Sequence, residues 1–209
     1  MRLLSGLLLL FLTCCGIPYD GETIINLEGR VVDAYNQPLP NQRAYLGAQY
    51  DEDGYDTATY QTATDGQGAF RLTLFRPNEG AELIFEENST YLPLICTGLH
   101  KSNFSGLQWN LGTLVRYKAS DLVPLNIVVN TVNPNSFLEQ LNLTGMIYTP
   151  NYDFHPLTTG DPFWLDYQVR KNQTCTLQYK VKNGLTQQVS ELSVPIVIAE
   201  TALTYTLNL

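Results

Sequence analysis

Two histidines, two tryptophans, two methionines and only twelve lysine and arginine residues are spread over 209 positions. Each scarcity excludes something. His100 and His155 stand 55 positions apart (155 − 100), with no His-x-His pair, so a multi-histidine metal centre has no ligand set. Twelve basic residues face twenty acidic ones, for a formal charge of −8. With no basic cluster, that balance argues against nucleic acid and against anionic membrane surfaces as partners. Cysteine occurs four times and never as Cys-x-x-Cys, so a zinc site of that spacing is excluded too. The longest apolar run, Leu3 to Leu12, is too short for a stable membrane-spanning helix. Neither a Gly-x-Ser-x-Gly nucleophile context nor a phosphate-cradling glycine loop is present. No cofactor is implied.

What is abundant points to strands. Tyrosine occurs thirteen times, threonine, asparagine and leucine are frequent, and no long helical period appears. The stretch from Leu27 to Leu74 organises the rest. Leu27–Asp33 is a strand-like run that ends in the turn cluster Asp33-Ala34-Tyr35-Asn36-Gln37-Pro38. A second short strand is expected at Arg43–Gly47. Asp65-Gly66 marks a tight turn, after which Phe70, Leu72 and Leu74 share one face and Arg71 and Thr73 the other, the alternation of a half-buried strand.

The spacing Gly29-x-Val31-x-Asp33 followed by Pro38-Leu39-Pro40, and then Thr64-Asp65-Gly66-x-Gly68-x-Phe70-x-Leu72, resembles the carboxypeptidase regulatory-like, or transthyretin-like, domain. The resemblance covers residues 24–117. It implies a small antiparallel β-sandwich of the kind used as an accessory module in surface or secreted proteins, with no shared catalytic residues to carry over.

The first residues set an expected address. Met1-Arg2 is a positive start, Leu3 to Leu12 an apolar core, and Leu12-Thr13-Cys14-Cys15 resembles a bacterial lipobox. On that alignment residues 1–14 are a lipoprotein signal peptide, Cys15 carries the lipid, and residues 15–23 form a tether; the alternative, Cys14, would put Phe11 in the leucine position. The expected location is a bacterial outer membrane of Bacteroidota type, reached through a lipid anchor, facing the periplasm or the outside.

The polar break Lys118–Asp121 separates the 24–117 unit from a second one, 118–209. There Pro134–Leu141 is expected to hold one helical turn, since Ser136 and Glu139 have capping-box spacing. Phe163, Leu165, Tyr167 and Val169 are expected inward, with Trp164, Asp166, Gln168 and Arg170 outward. Cys175, Leu177, Tyr179 and Val181 line the next strand, and Asn183-Gly184 turns the chain. This half reads as an immunoglobulin-like sandwich and matches no family. The fold class is therefore all-β, two tandem antiparallel β-sandwiches. Cys96 and Cys175, one in each half, are either a disulfide or two buried thiols.

Candidate sites are few. Asp51, Asp53 and Gly54 resemble the start of a calcium loop, but Thr62 stands where the distal glutamate belongs, so a solvated loop is expected. Intradiol dioxygenases share a related sandwich and hold iron with two tyrosines and two histidines; the histidine spacing here does not match. Tyr148, Tyr152 and Phe154, set between Pro150 and Pro156, form a candidate ligand-binding loop, since exposed rings bind sugars and partner proteins; the competing reading is that they cap the sandwich end. The function this implies is a non-catalytic envelope lipoprotein binding a protein partner or serving a structural role, or else a carbohydrate-binding accessory protein of a glycan-uptake system.

Overall fold

The computed structural model describes residues 23–51, 53–54, 56–154 and 164–209. Seven strands come first: β1 (Ile24–Asp33), β2 (Arg43–Gln49), β3 (Thr57–Ala63), β4 (Ala69–Phe75), β5 (Gly80–Phe85), β6 (Leu94–Leu99) and β7 (Gln108–Arg116). A single 3-10 turn, Ala119–Asp121, falls on the polar break. Eight strands follow: β8 (Leu122–Asn130), β9 (Ser136–Thr144), β10 (Ile147–Tyr148), β11 (Asn151–Asp153), β12 (Asp166–Arg170), β13 (Gln173–Asn183), β14 (Val189–Ile198) and β15 (Leu203–Asn208).

They form four sheets, ordered β4-β1-β7, β11-β6-β5-β2-β3, β10-β12-β8-β15 and β14-β13-β9. The inward residues of the first two enclose one apolar cluster, which includes Ile25, Leu27, Leu46, Phe70, Phe85 and Trp109. The other two enclose a second, which includes Leu125, Ile127, Val169, Leu177 and Ile196. The protein is an all-β sandwich. Period-two burial in β4, β8 and β2 shows why: one face of each strand is apolar and must be covered by an opposing sheet. Not every ladder is antiparallel. β1–β7, β11–β6 and β8–β15 run parallel, and each joins strands far apart in the chain, as parallel pairing requires.

The motif residues meet at one junction. The Val31 amide donates to the Gly68 carbonyl at 2.7 Å, and the Leu39 amide donates to the Val31 carbonyl at 3.0 Å. The Asp65 carboxylate accepts the amides of Gln67 and Ala69 at 2.8 and 2.9 Å, closing the turn into β4. The Asp33 carboxylate does the same for Tyr35 and Gln37 after β1, both at 2.8 Å. The buried Thr64 hydroxyl accepts from the Gln42 amide at 2.8 Å and donates to the Leu39 carbonyl at 2.5 Å, pinning one turn to the other. Gly68 has φ +75°, and a Cβ there would overlap the Val31 carbonyl oxygen. Gly29 sits at the register shift between Glu28 and Arg30 on the β1–β7 ladder, where a Cβ would lie 2.8 Å from the buried Phe70 ring. These side chains therefore hold the backbone; they do not present chemistry.

Arg116 ends β7 with the inward parity of Leu114, and it is 2% exposed. Its guanidinium donates to the carbonyls of Glu86 (2.6 Å) and Leu92 (2.9 Å) and to the Gln42 side-chain oxygen (2.7 Å), between the rings of Phe85 and Tyr91. It straps the 86–92 loop to the sheet.

Two expectations change and one is refined. Pro134–Leu141 holds no helical turn; Ser136–Thr144 is β9, paired with β13. A bulge opposite Lys180/Val181 lets both Leu138 and Leu141 pack on the second cluster, and this three-residue spacing imitates a helical period. Asn183-Gly184 does turn β13 back along β14, through a five-residue loop, Gly184–Gln188, in which the Asn183 carboxamide oxygen accepts the amides of Leu185 and Thr186. The strand expected to carry Phe163 to Arg170 begins at Asp166, and Phe163 lies outside the described residues.

Gly68→Ala should cost at least about 2 kcal/mol in denaturant unfolding, because the left-handed backbone and the carbonyl contact both resist a side chain. Arg116→Met should cost about 3 kcal/mol by stranding buried carbonyls, and Arg116→Lys should not restore it, since one ammonium cannot span the same fork.

Candidate functional site

The loop carrying Tyr148, Tyr152 and Phe154 leaves the second pair of sheets and joins the first. The Ile95 amide donates to the Pro150 carbonyl at 2.8 Å, and β11 then runs parallel along β6, Tyr152 opposite Cys96. The Phe154 amide donates to the Thr97 carbonyl at 3.2 Å. Three residues from one half thus become the edge strand of the other half's sheet.

That geometry assigns the rings unequally. Tyr148 is half-buried: its hydroxyl donates to the Pro93 carbonyl at 3.3 Å, and its ring meets Tyr117 edge-on at 5.8 Å. Burial, and secondarily Glu87, push its phenol above the usual range, with Arg116 opposing. Phe154 packs on the first cluster through Phe104, which stacks on Trp109 at 5.0 Å. Only Tyr152 stays open, at 46% exposure, its ring edge-on to Phe154 at 4.9 Å. Two of the three candidate rings serve the joint. The structure does not gather the tryptophans with them on one open face: Trp109 is 1% exposed and Trp164 is 69% exposed.

A second tie lies beside the first. Arg170, at the end of β12, donates from Nη1 to the Ala34 carbonyl at 2.7 Å and lies 5.4 Å over the Tyr35 ring. The alternation of β12 puts Arg170 on the outward face. Its use as a tie has no sequence signal, because its acceptor is a backbone carbonyl 136 residues away. Arg116 did carry a signal: an arginine at inward parity in an apolar strand.

The remaining reactive groups are engaged in the fold. Cys96 and Cys175 are free thiols, buried in separate apolar clusters, which resolves the open pairing in favour of buried thiols. Burial, with a smaller contribution from Glu82, pushes Cys96 up to about 12. Burial also raises Cys175, against Arg170. His100 bridges Ser102 Oγ at 2.7 Å and the Asn78 carbonyl at 3.0 Å; His155 lies outside the described residues. In the acidic loop the Asp51 carboxylate accepts the Asp56 amide at 2.9 Å, so one oxygen already closes the loop. Among the described residues no three histidine, cysteine, aspartate or glutamate side chains gather as metal ligands.

Shallow surfaces remain among the described residues. A groove of about 650 Å³ crosses β4-β1-β7, lined by Glu28, Arg30, Asp65, Phe70, Arg71 and Asn110. A smaller one of about 280 Å³ lies on β14-β13-β9, around Gln140, Gln178 and Ser193.

No family model matches the chain, and no curated protein does. Among solved structures it is similar to 3-chlorocatechol 1,2-dioxygenase from Rhodococcus opacus, at 14% identity and a TM-score of 0.35, over 49% of this chain and 62% of that one. A DUF3823 family protein from Parabacteroides merdae shows 10% identity and a TM-score of 0.27 over 84% and 81%. The minor pilin GBS52 of Streptococcus agalactiae shows 12% identity and a TM-score of 0.29 over 88% and 94%. Likeness this distant transfers no activity, and the fold class rests on the chain's own sheets.

The raised thiol predicts a pH effect of definite sign. The Cys96 proton is held in the folded state to about 12, against 9.0 for a free thiol. The contribution is whole below pH 9 and is lost as pH rises toward 12, because only the unfolded chain can ionise there. Unfolding free energy should decline across that window. Neither Cys96 nor Cys175 should react with a thiol-specific disulfide reagent at pH 8 until denaturant is added.

Proposed function

We propose that this chain is a non-catalytic, lipid-anchored envelope protein that acts as a binding or structural module for a surface partner. The observation that carries the reading is the joint. Two of the three rings that looked most like a ligand platform, Tyr148 and Phe154, are spent in tying one pair of sheets to the other, beside the β11 ladder and the Arg170 hydrogen bond. The thiols, His100 and Arg116 are likewise committed to packing and internal hydrogen bonds. A chain that uses its aromatic and cationic groups this way is suited to holding a fixed surface toward a partner.

The finer assignments belong to the same reading. Residues 24–117 form a carboxypeptidase regulatory-like module, residues 118–209 a second sandwich, and residues 1–14 an export signal cleaved before Cys15. Acylation of Cys15 would hold the chain at the outer membrane without a spanning segment. The partner would be an envelope protein.

Mass spectrometry of the mature protein from its native envelope should find an acylated Cys15 at the N-terminus. Cys15→Ser should release the chain from the membrane fraction. An unmodified N-terminus downstream of Cys15, or membrane retention of the Cys15→Ser variant, would sink the anchor. Cross-linking in the same envelope should trap one dominant protein; a measured turnover of any envelope substrate would instead make the chain an enzyme.

A further inference from the structure

Strand alternation at the start of β12 separates two sets of side chains. Leu165, Tyr167 and Val169 pack on the second apolar cluster, so Trp164, Asp166 and Gln168 stand on the solvent face. Trp164 keeps 69% of its surface exposed. Its backbone is nonetheless fixed. The Trp164 carbonyl accepts from the Tyr167 hydroxyl at 2.7 Å, and the Leu165 carbonyl accepts from the Ile127 amide at 2.8 Å.

The strand registers place specific neighbours beside the indole. Asp166 pairs with Asn126, and continuing that register two residues sets Trp164 beside Val128, which is 43% exposed. On the other side of β8, Asn126 pairs with Thr204 and Val128 with Thr206. Two adjacent rows result, Trp164–Val128–Thr206 and Asp166–Asn126–Thr204, across three strands about 4.8 Å apart. The Asn130 carboxamide donates to that of Asn208 at 2.9 Å and continues the face.

We propose that this face binds a neutral glycan, a flat β-1,4-linked pyranose chain whose ring C–H face stacks on Trp164 while Asp166, Asn126, Thr204 and Thr206 take its hydroxyls. The chemistry of the rows selects this occupant. They contain no lysine or arginine and one carboxylate, which disfavours uronates, sulfated glycans and phosphate. Among the described residues of the two rows, all but Val128 and Trp164 itself are polar, whereas an aromatic anchor for a protein partner sits in an apolar patch centre. The polar groups are short and held on strands, so little side-chain entropy is lost when they meet hydroxyls. The proposal goes beyond the reading above and shares none of its residues; it stands whether or not Cys15 is acylated.

Fluorescence reads the site selectively, because the other tryptophan, Trp109, is buried. The full chain, in detergent, is titrated with cellohexaose, mannohexaose and xylohexaose, all β-1,4-linked. At least one should blue-shift the emission and shield the indole from acrylamide. By isothermal titration calorimetry, which does not depend on the indole, Trp164→Ala should abolish sugar binding with the melting temperature unchanged, and Asp166→Asn should weaken it at least about tenfold, the loss of one charge-assisted hydrogen bond. Silence toward all three sugars overturns the proposal, as does binding that survives Trp164→Ala. Capture of an envelope protein that depends on Trp164, with the sugars silent, overturns it in favour of a protein contact.

Discussion

The backbone of Val31 is the constraint on which the first pair of sheets depends. Its amide is committed to Gly68 and its carbonyl to Leu39, so β1, the turn after it and the turn into β4 converge on one residue. Nothing larger than hydrogen fits at Gly68, and Thr64 closes the same junction from the other side. β1 is the central strand of its sheet, antiparallel to β4 and parallel to β7, so an error at this point would propagate to both neighbours. Loops elsewhere can vary without touching it.

Much of this was legible beforehand. Asp65-Gly66 and the glycine two residues on marked the turn, and the alternation of Phe70, Leu72 and Leu74 marked its strand, because turn chemistry and period-two burial are local properties. The inward set Leu165, Tyr167 and Val169 was readable for the same reason. What escaped was non-local. Ser136 and Glu139 had capping spacing, but the ladder offered by β13 outweighed it, and the bulge that places Leu138 and Leu141 on one side leaves a helical imprint in the sequence. A three-residue strand such as Asn151–Asp153 has no period of its own; only β6 makes it a strand.

The candidate aromatic loop illustrates the limit most plainly. From sequence, rings between prolines fit a platform and a cap equally well, since both need large apolar area at a loop. The structure separates them through partners: a carbonyl for Tyr148, a stacked pair of rings for Phe154 and open solvent for Tyr152. Trp164, which the alternation already set outward, keeps a large free face as well.

Strand β11 also imposes an order in time. β6 lies at residues 94–99 and receives its outer neighbour from residues 151–153, so roughly fifty residues of chain must emerge before that edge is covered. While the chain is made, N-terminus first, β6 would present bare amides and carbonyls along that edge throughout that interval. The parallel stitch therefore makes the later half an intramolecular guard for the earlier one, and the seam between them closes only when both have formed.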